Sequence, residues 1–168
     1  QHVPTTLPLL EAGYDVLLEK PIATSRDDLL ALHAAAVKHG RTVMVCHVLR
    51  YAPFYYQIRK RVSDGEIGRI VSIHTAEHVS YHHMDVGYVR GKWNRKDTCG
   101  SSMLMAKCCH DMDILAWMKS GIPPRLVASM GSLMQFRAEN APEGSGTRCL
   151  VDCPIEPDCL YSARKIYL

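Results

Sequence analysis

Several features that would place a protein outside the ordinary run of compact domains are missing from this sequence. No apolar run approaches the roughly 20 residues needed to cross a bilayer, and no leader-like pattern of charged, apolar and small residues heads it. Asn94 and Asn140 both lack a Ser or Thr two positions on, so no acceptor for N-linked sugar points to secretion. There is no internal repeat and no low-complexity segment. Strong charge of either sign is absent as well, the formal net charge being +3. The densest basic run, Arg59-Lys60-Arg61, falls in a helical stretch and reads as a solvated face, so neither nucleic acid nor a membrane is expected as a partner.

What remains is ordinary globular composition: 168 residues, 47% hydrophobic and 22% charged. Seven cysteines is a high and odd number, spread through apolar segments, which fits free thiols of a reducing compartment better than a disulfide framework. The expectation is a cytoplasmic protein acting on a small molecule, with homo-oligomer formation left open. The sequence opens on Gln1 inside a helical pattern with no preceding strand, and its tail from Arg137 is loop-like with no closing element. The native start and end are therefore expected to lie outside it.

Periodicity organises the chain. A helix over Thr5–Ala12 stops at Gly13, the apolar run Val16-Leu17-Leu18 reads as a strand, and Thr24-Ser25-Arg26-Asp27 supplies cap-type residues for a second helix. That helix, Asp27–His39, carries Leu29, Leu30, Leu32, Ala36 and Val37 and ends at Gly40. Thr42–Val48 then reads as a strand buried on both faces, as parallel sheets require. Pro53 starts a helix through Val62. Beyond it the pattern predicts a strand over Gly68–Glu77, a long polar loop over Ser80–Gly100, a helix over Met103–Met118, a break at Pro123-Pro124 and a strand over Leu126–Gln135. That order suggests a second, α+β domain.

Two clusters carry chemistry. Glu19-Lys20-Pro21 puts an amine where a buried strand gives way to a loop, and open parallel sheets bind ligands outside the carboxyl ends of their strands. Lys20 is either a reactive amine facing a ligand or a solvated lysine at a strand end. In the Met103–Met118 helix, Lys107, His110, Asp111 and Asp113 interrupt an apolar stripe, and Lys107 lies one helical turn from His110. An ammonium there would disfavour the imidazolium, a tuning suited to a general acid or base. The same residues could equally face solvent.

Together, Glu19-Lys20-Pro21, the extension ending at Arg50-Tyr51 and the helix with His110-Asp111-Met112-Asp113 resemble the Gfo/Idh/MocA oxidoreductases over nearly the whole chain. The resemblance implies an α/β fold: the C-terminal part of a Rossmann-type parallel sheet over residues 1–52, then an incomplete α+β substrate domain over 53–168. It implies NAD or NADP as cofactor, with Glu19, Lys20 and Pro21 near it, and hydride transfer to or from a small polyol, sugar or related carbonyl or carbinol. It implies catalytic roles for Lys20 and His110, with Lys107 as a further candidate. Two departures stand out. Many members carry an aspartate four residues before the histidine, where this chain has Ala106, which leaves open a non-catalytic nucleotide- or sugar-binding regulator of the same fold. The glycine-rich G-x-G-x-x-G turn that seats a pyrophosphate is also absent, and this chain by itself is expected to be inactive.

The loop Tyr81–Trp93 mixes aromatic, imidazole and cationic groups. Trp93 is a candidate to stack on a sugar-like ring, alongside Arg50 and Tyr51 as substrate contacts, while Arg90 or Lys92 could meet a carboxylate or phosphate. Cys149, Cys153 and Cys159 could hold zinc with a fourth ligand, but their spacing is irregular and reduced thiols packing a loop is the favoured reading.

Overall fold

The computed structural model describes residues 2–168 and divides them into two compact units, one built from the chain up to Glu77 together with Lys96–Pro123, the other from His78–Arg95 and Pro124–Leu168. The first begins with helix α1 (His2–Glu11), whose buried residues Val3, Thr6 and Leu10 follow a three-then-four spacing along one face. It stops at Gly13, whose φ of 89° is open to a residue without Cβ.

Strand β1 (Val16–Leu18) pairs in parallel with β2 (Val43–Val45), Val16 opposite Val43 and Leu18 opposite Val45. The register is fixed from both ends. Asp15 accepts a 2.6 Å hydrogen bond from the Thr42 amide, and the Cys46 amide donates to the Leu18 carbonyl at 2.8 Å. Helix α2 (Arg26–His39) makes the crossover. Ser25 Oγ caps it by accepting from the Asp28 amide at 3.1 Å, Asp27 and Asp28 oppose the helix dipole at its start, and Lys38 and His39 do so at its end. Gly40, at φ 60°, closes it with its amide on the Ala36 and Val37 carbonyls.

The core is Leu10, Leu18 and Leu32, joined by Leu7, Val16, Ile22, Ala35, Ala36 and Val43. Leu17 and Met44 point the other way and are exposed. The expected burial of the second strand on both faces is therefore not found, because α1 and α2 cover only one side of a two-stranded sheet. That strand is also shorter than Thr42–Val48. The His47 amide turns back to the Val45 carbonyl at 2.8 Å and a 3₁₀ turn follows at Val48–Tyr51.

Helix α3 (Pro53–Ser63) starts with proline at its first position, and its basic run is partly paired, Lys60 with Asp64 and Arg61 with Glu66. The strand expected at Gly68–Glu77 is not formed, nor is that at Leu126–Gln135. Both stretches are rich in Ile, Val and Leu, but a strand exists only where a neighbour completes its ladder, and among the described residues none does. Their apolar side chains stand in solvent, Val71 at 87% and Leu126 at 87% exposure.

The polar stretch Ser80–Gly100 is not loop throughout, a second correction. In the second unit it forms α4 (Tyr81–Met84), capped by Ser80 Oγ, and a π-helical turn at Asp85–Val89; in the first it forms α5 (Lys96–Cys99). The helix expected over Met103–Met118 is broken into α6 (Met103–Ala106) and α7 (Cys109–Met118). The second unit closes with α8 (Ala163–Tyr167) and buries Asp85, Glu156 and Ser162, with the Ser162 hydroxyl donating to Glu156.

Candidate active site

Lys20 follows the last residue of β1 by two positions, and its Nζ donates to the Ala106 carbonyl at 2.8 Å. The break between α6 and α7 makes that acceptor available. In an unbroken helix the Ala106 carbonyl would take the His110 amide, but that amide turns to Lys107 instead, at 3.4 Å. The break also separates two groups the sequence placed on one helix face. Lys107 sits in the gap and pairs with Glu77 at 3.2 Å rather than standing over His110.

His110 opens α7. Its Nδ1 is buried with no hydrogen-bond partner, and its pKa is lowered below 6.5, first by burial, then by the charges of Lys20, His47 and Lys107, with Asp111 opposing. Lys107 thus acts in the expected direction but behind Lys20, the largest charge felt by the ring. Burial also pushes the neighbouring Cys109 thiol up.

One turn on, Asp113 accepts from both Arg50 Nε at 2.7 Å and Arg50 Nη2 at 2.6 Å. This two-pronged pair ties the turn after β2 to α7. The Arg50 guanidinium also lies 5.5 Å from the Trp117 ring centre, so His110, Asp113 and Trp117 form one face of α7 at spacings of three and four. Asp113 is the more buried partner, its side chain 10% exposed against 39% for Arg50.

The sequence reading missed His47. It follows β2 by two positions, as Lys20 follows β1, and the rule that ligands gather at the carboxyl ends of parallel strands would have found it. Its Nε2 is 4.0 Å from Asp113 Oδ1, its Nδ1 is buried without a partner, and its ring meets that of His110 edge to face at 5.8 Å.

A cleft of about 630 Å³ opens beside these groups, walled by Pro21, Ile22 and Leu29 on one side and by Met112, Asp113 and His47 on the other. Lys20 and His110 are not on its wall. Of the other sequence candidates, Glu19 is exposed and accepts from the Lys20 amide at 3.2 Å, Pro21 lines the cleft, and Tyr51 is exposed. Trp93 belongs to the second unit, where the Lys92 ammonium lies 4.8 Å from its ring centre. Cys149, Cys153 and Cys159 are half-buried free thiols of the same unit, and among the described residues no group of three or more His, Cys, Asp or Glu side chains is gathered as a metal site.

Residues 1–47 match the oxidoreductase family with an NAD-binding Rossmann fold, and residues 55–146 match the GFO/IDH/MocA C-terminal domain. Among curated proteins, YteT of Bacillus subtilis is 28% identical over 97% of this chain and 38% of its own length. Inositol 2-dehydrogenase 2 of Saccharopolyspora erythraea is 29% identical over 70% of this chain and 31% of its own. Among solved structures, an oxidoreductase domain protein of Kribbella flavida superposes with a TM-score of 0.52 at 28% identity, covering 70% of this chain and 31% of that one. This chain thus spans about a third of the length of the relatives it matches. With parallel strands, their ligand-facing ends and both family regions accounted for, the chain belongs to the Gfo/Idh/MocA family of oxidoreductases, whose Rossmann fold binds NAD.

Proposed function

We propose that the whole protein of which this chain is part is a nicotinamide-dependent oxidoreductase acting on a carbinol or carbonyl carbon of a small polyol or sugar. The observation that carries this reading is that the Lys20 Nζ, from the end of β1, is held on the Ala106 carbonyl at 2.8 Å, four residues before His110 near the start of α7. Relatives named as inositol 2-dehydrogenases and as 1,5-anhydro-D-fructose reductase support the substrate class. The domain division at 52/53 is supported by family matches that end at 47 and resume at 55.

The residues present fit the nicotinamide end of the cofactor: an apolar cleft lined by Pro21, Ile22 and Leu29 opens just past the end of β1, with His47 on its wall just past the end of β2. They supply no glycine-rich turn for its phosphates. When bound, nicotinamide supplies the hydride acceptor or donor. Glu19 and Pro21 would flank it, and Lys20 would be held ready by the Ala106 carbonyl. His110, kept neutral by burial and by the Lys20 charge, would take the hydroxyl proton in the oxidative direction and return it in the reductive one. Lys107 would contribute charge from farther out, and Arg50 and Tyr51 are the side chains of the first unit proposed to meet the substrate's outer groups.

The regulator reading draws only on Ala106, which replaces a carboxylate with a methyl group. Assay of the whole protein with NAD and NADP across polyols and sugars tests the proposal. Lys20→Ala and His110→Ala should each lower turnover by about 10² to 10⁴ with folding retained. Wild-type turnover in both variants would refute the roles, and cofactor binding with no turnover of any polyol or sugar would favour the regulator.

A further inference from the structure

A second cavity, of about 720 Å³, lies wholly within the second unit, and nothing assigned so far uses it. Its size suits a small organic molecule. Phe136 and Tyr161 stand on its wall with ring centres 5.3 Å apart and planes at 70°, which gives it an aromatic face. Its charge is one-sided. Arg90, Arg137 and Arg148 line it against a single carboxylate, Asp85. Two of the three guanidiniums already have partners. Arg90 Nη2 lies 2.5 Å from Asp85 Oδ2 and donates to the Tyr161 carbonyl, so the cation that the sequence offered to a carboxylate or phosphate is engaged within the fold. Arg137 donates from Nε to the Leu133 carbonyl, and its Nη1 is 3.3 Å from Glu139.

Arg148 is different. Among the described residues no carboxylate pairs with its exposed guanidinium, although Asp152 is only four positions away. That carboxylate is taken up by the turn itself, accepting from the Thr147 and Arg148 amides at 3.2 and 2.7 Å and from the Thr147 hydroxyl at 2.7 Å. Gly146 lets the turn close, since a Cβ there would lie 2.3 Å from the Asp152 carbonyl oxygen. The turn thus fixes the Arg148 backbone at the cavity wall and leaves its planar fork open, the geometry that matches a carboxylate or phosphate.

We propose that this cavity binds a small organic anion, a flat apolar body against Phe136 and Tyr161 with its carboxylate or phosphate on the Arg148 guanidinium. The site is independent of the oxidoreductase reading, because it shares no residue with the cleft beside β1 and β2.

Calorimetric titration of the whole protein with benzoate, phenyl phosphate, benzyl alcohol and inorganic phosphate tests it, with NAD saturating so that the cofactor's own anion contacts are filled. One of the two aromatic anions should bind at least about tenfold more tightly than benzyl alcohol, which has the ring without the charge, and than inorganic phosphate, which has the charge without the ring. The tighter of the two identifies the group. Arg148→Gln should weaken that anion by about tenfold, the size of one hydrogen bond to a charged group, and leave benzyl alcohol unchanged. A second readout needs no variant. Cys149 and Cys153 line the same cavity, so their alkylation by iodoacetamide, followed by peptide mass, should slow with the aromatic anion and not with benzyl alcohol at the same concentration. Equal binding of the alcohol and the anions, an affinity unchanged in Arg148→Gln, or alkylation indifferent to the anion overturns the proposal. So does inorganic phosphate binding as tightly as phenyl phosphate, or no binding of any probe at millimolar concentration.

Discussion

Cutting the Arg50–Asp113 pair should cost unequal amounts from its two ends. In Arg50→Met the Asp113 carboxylate loses its 2.7 and 2.6 Å hydrogen bonds and stays in place, only 10% exposed, where water cannot replace them well. Hydrogen bonds to charged groups contribute roughly 1.5–3 kcal/mol, and a buried charge left unpaired costs the upper part of that range, so a loss of about 3 kcal/mol is expected. In Asp113→Asn the guanidinium, 39% exposed and still over the Trp117 ring at 5.5 Å, can turn to solvent. Solvent screening then reduces the loss to about 1 kcal/mol. Contact pairs of this kind couple by about 0.5–3 kcal/mol, and with two short bonds on a half-buried pair about 2 kcal/mol is expected here. Urea unfolding of the wild type, Arg50→Met, Asp113→Asn and the double variant measures all four corners, provided the slopes agree. Coupling below about 0.5 kcal/mol, or an Asp113→Asn loss larger than that of Arg50→Met, would refute the argument from burial.

Because the folded pKa of His110 is depressed below 6.5, the unfolded chain binds the proton first as pH falls. Its contribution to stability is therefore complete above pH 6.5 and declines as pH drops through and below that value. His110→Gln should flatten that part of the stability–pH curve; an unchanged curve would mean the ring titrates normally in the fold. Lys20→Met should raise the His110 pKa by more than Lys107→Met does, since the Lys20 ammonium acts more strongly on the ring and Lys107 is engaged with Glu77. Ring NMR titration of the three proteins checks the order, and the reverse order would put Lys107 back over the imidazole.

The α1–β1–α2–β2 unit was legible because its signals are local: Gly13 and Gly40 as stops, Ser25 as a cap, and Leu29, Leu32 and Ala36 on one helical face. Lys20 and His110 were legible by residue type and by their places at an element end. Gly68–Glu77 and Leu126–Gln135 were misread because propensity marks a stretch that can be a strand, whereas the ladder depends on a neighbour that no local pattern encodes. The break after Ala106 left no signal either. No proline or glycine stands there, and Cys108 precedes α7 without a side-chain cap. Its consequence was the larger miss, because the position of Lys107 and the partner of Lys20 both follow from it. His47 was hidden in an apolar run, where an imidazole reads as part of a strand until the strand is seen to end at Val45.

The anchor of Lys20 is a main-chain oxygen, and that makes it blind to the identity of the residue supplying it. Every amino acid at position 106 presents the same carbonyl, so the amine keeps its tether whatever side chain stands there. What position 106 accepts is limited by room instead, since Ala106 is only 2% exposed. The hold on the lysine and the chemistry of its neighbour are thus separable. The side chain at 106 can be exchanged without removing the oxygen that holds Lys20, so long as the surrounding packing gives way.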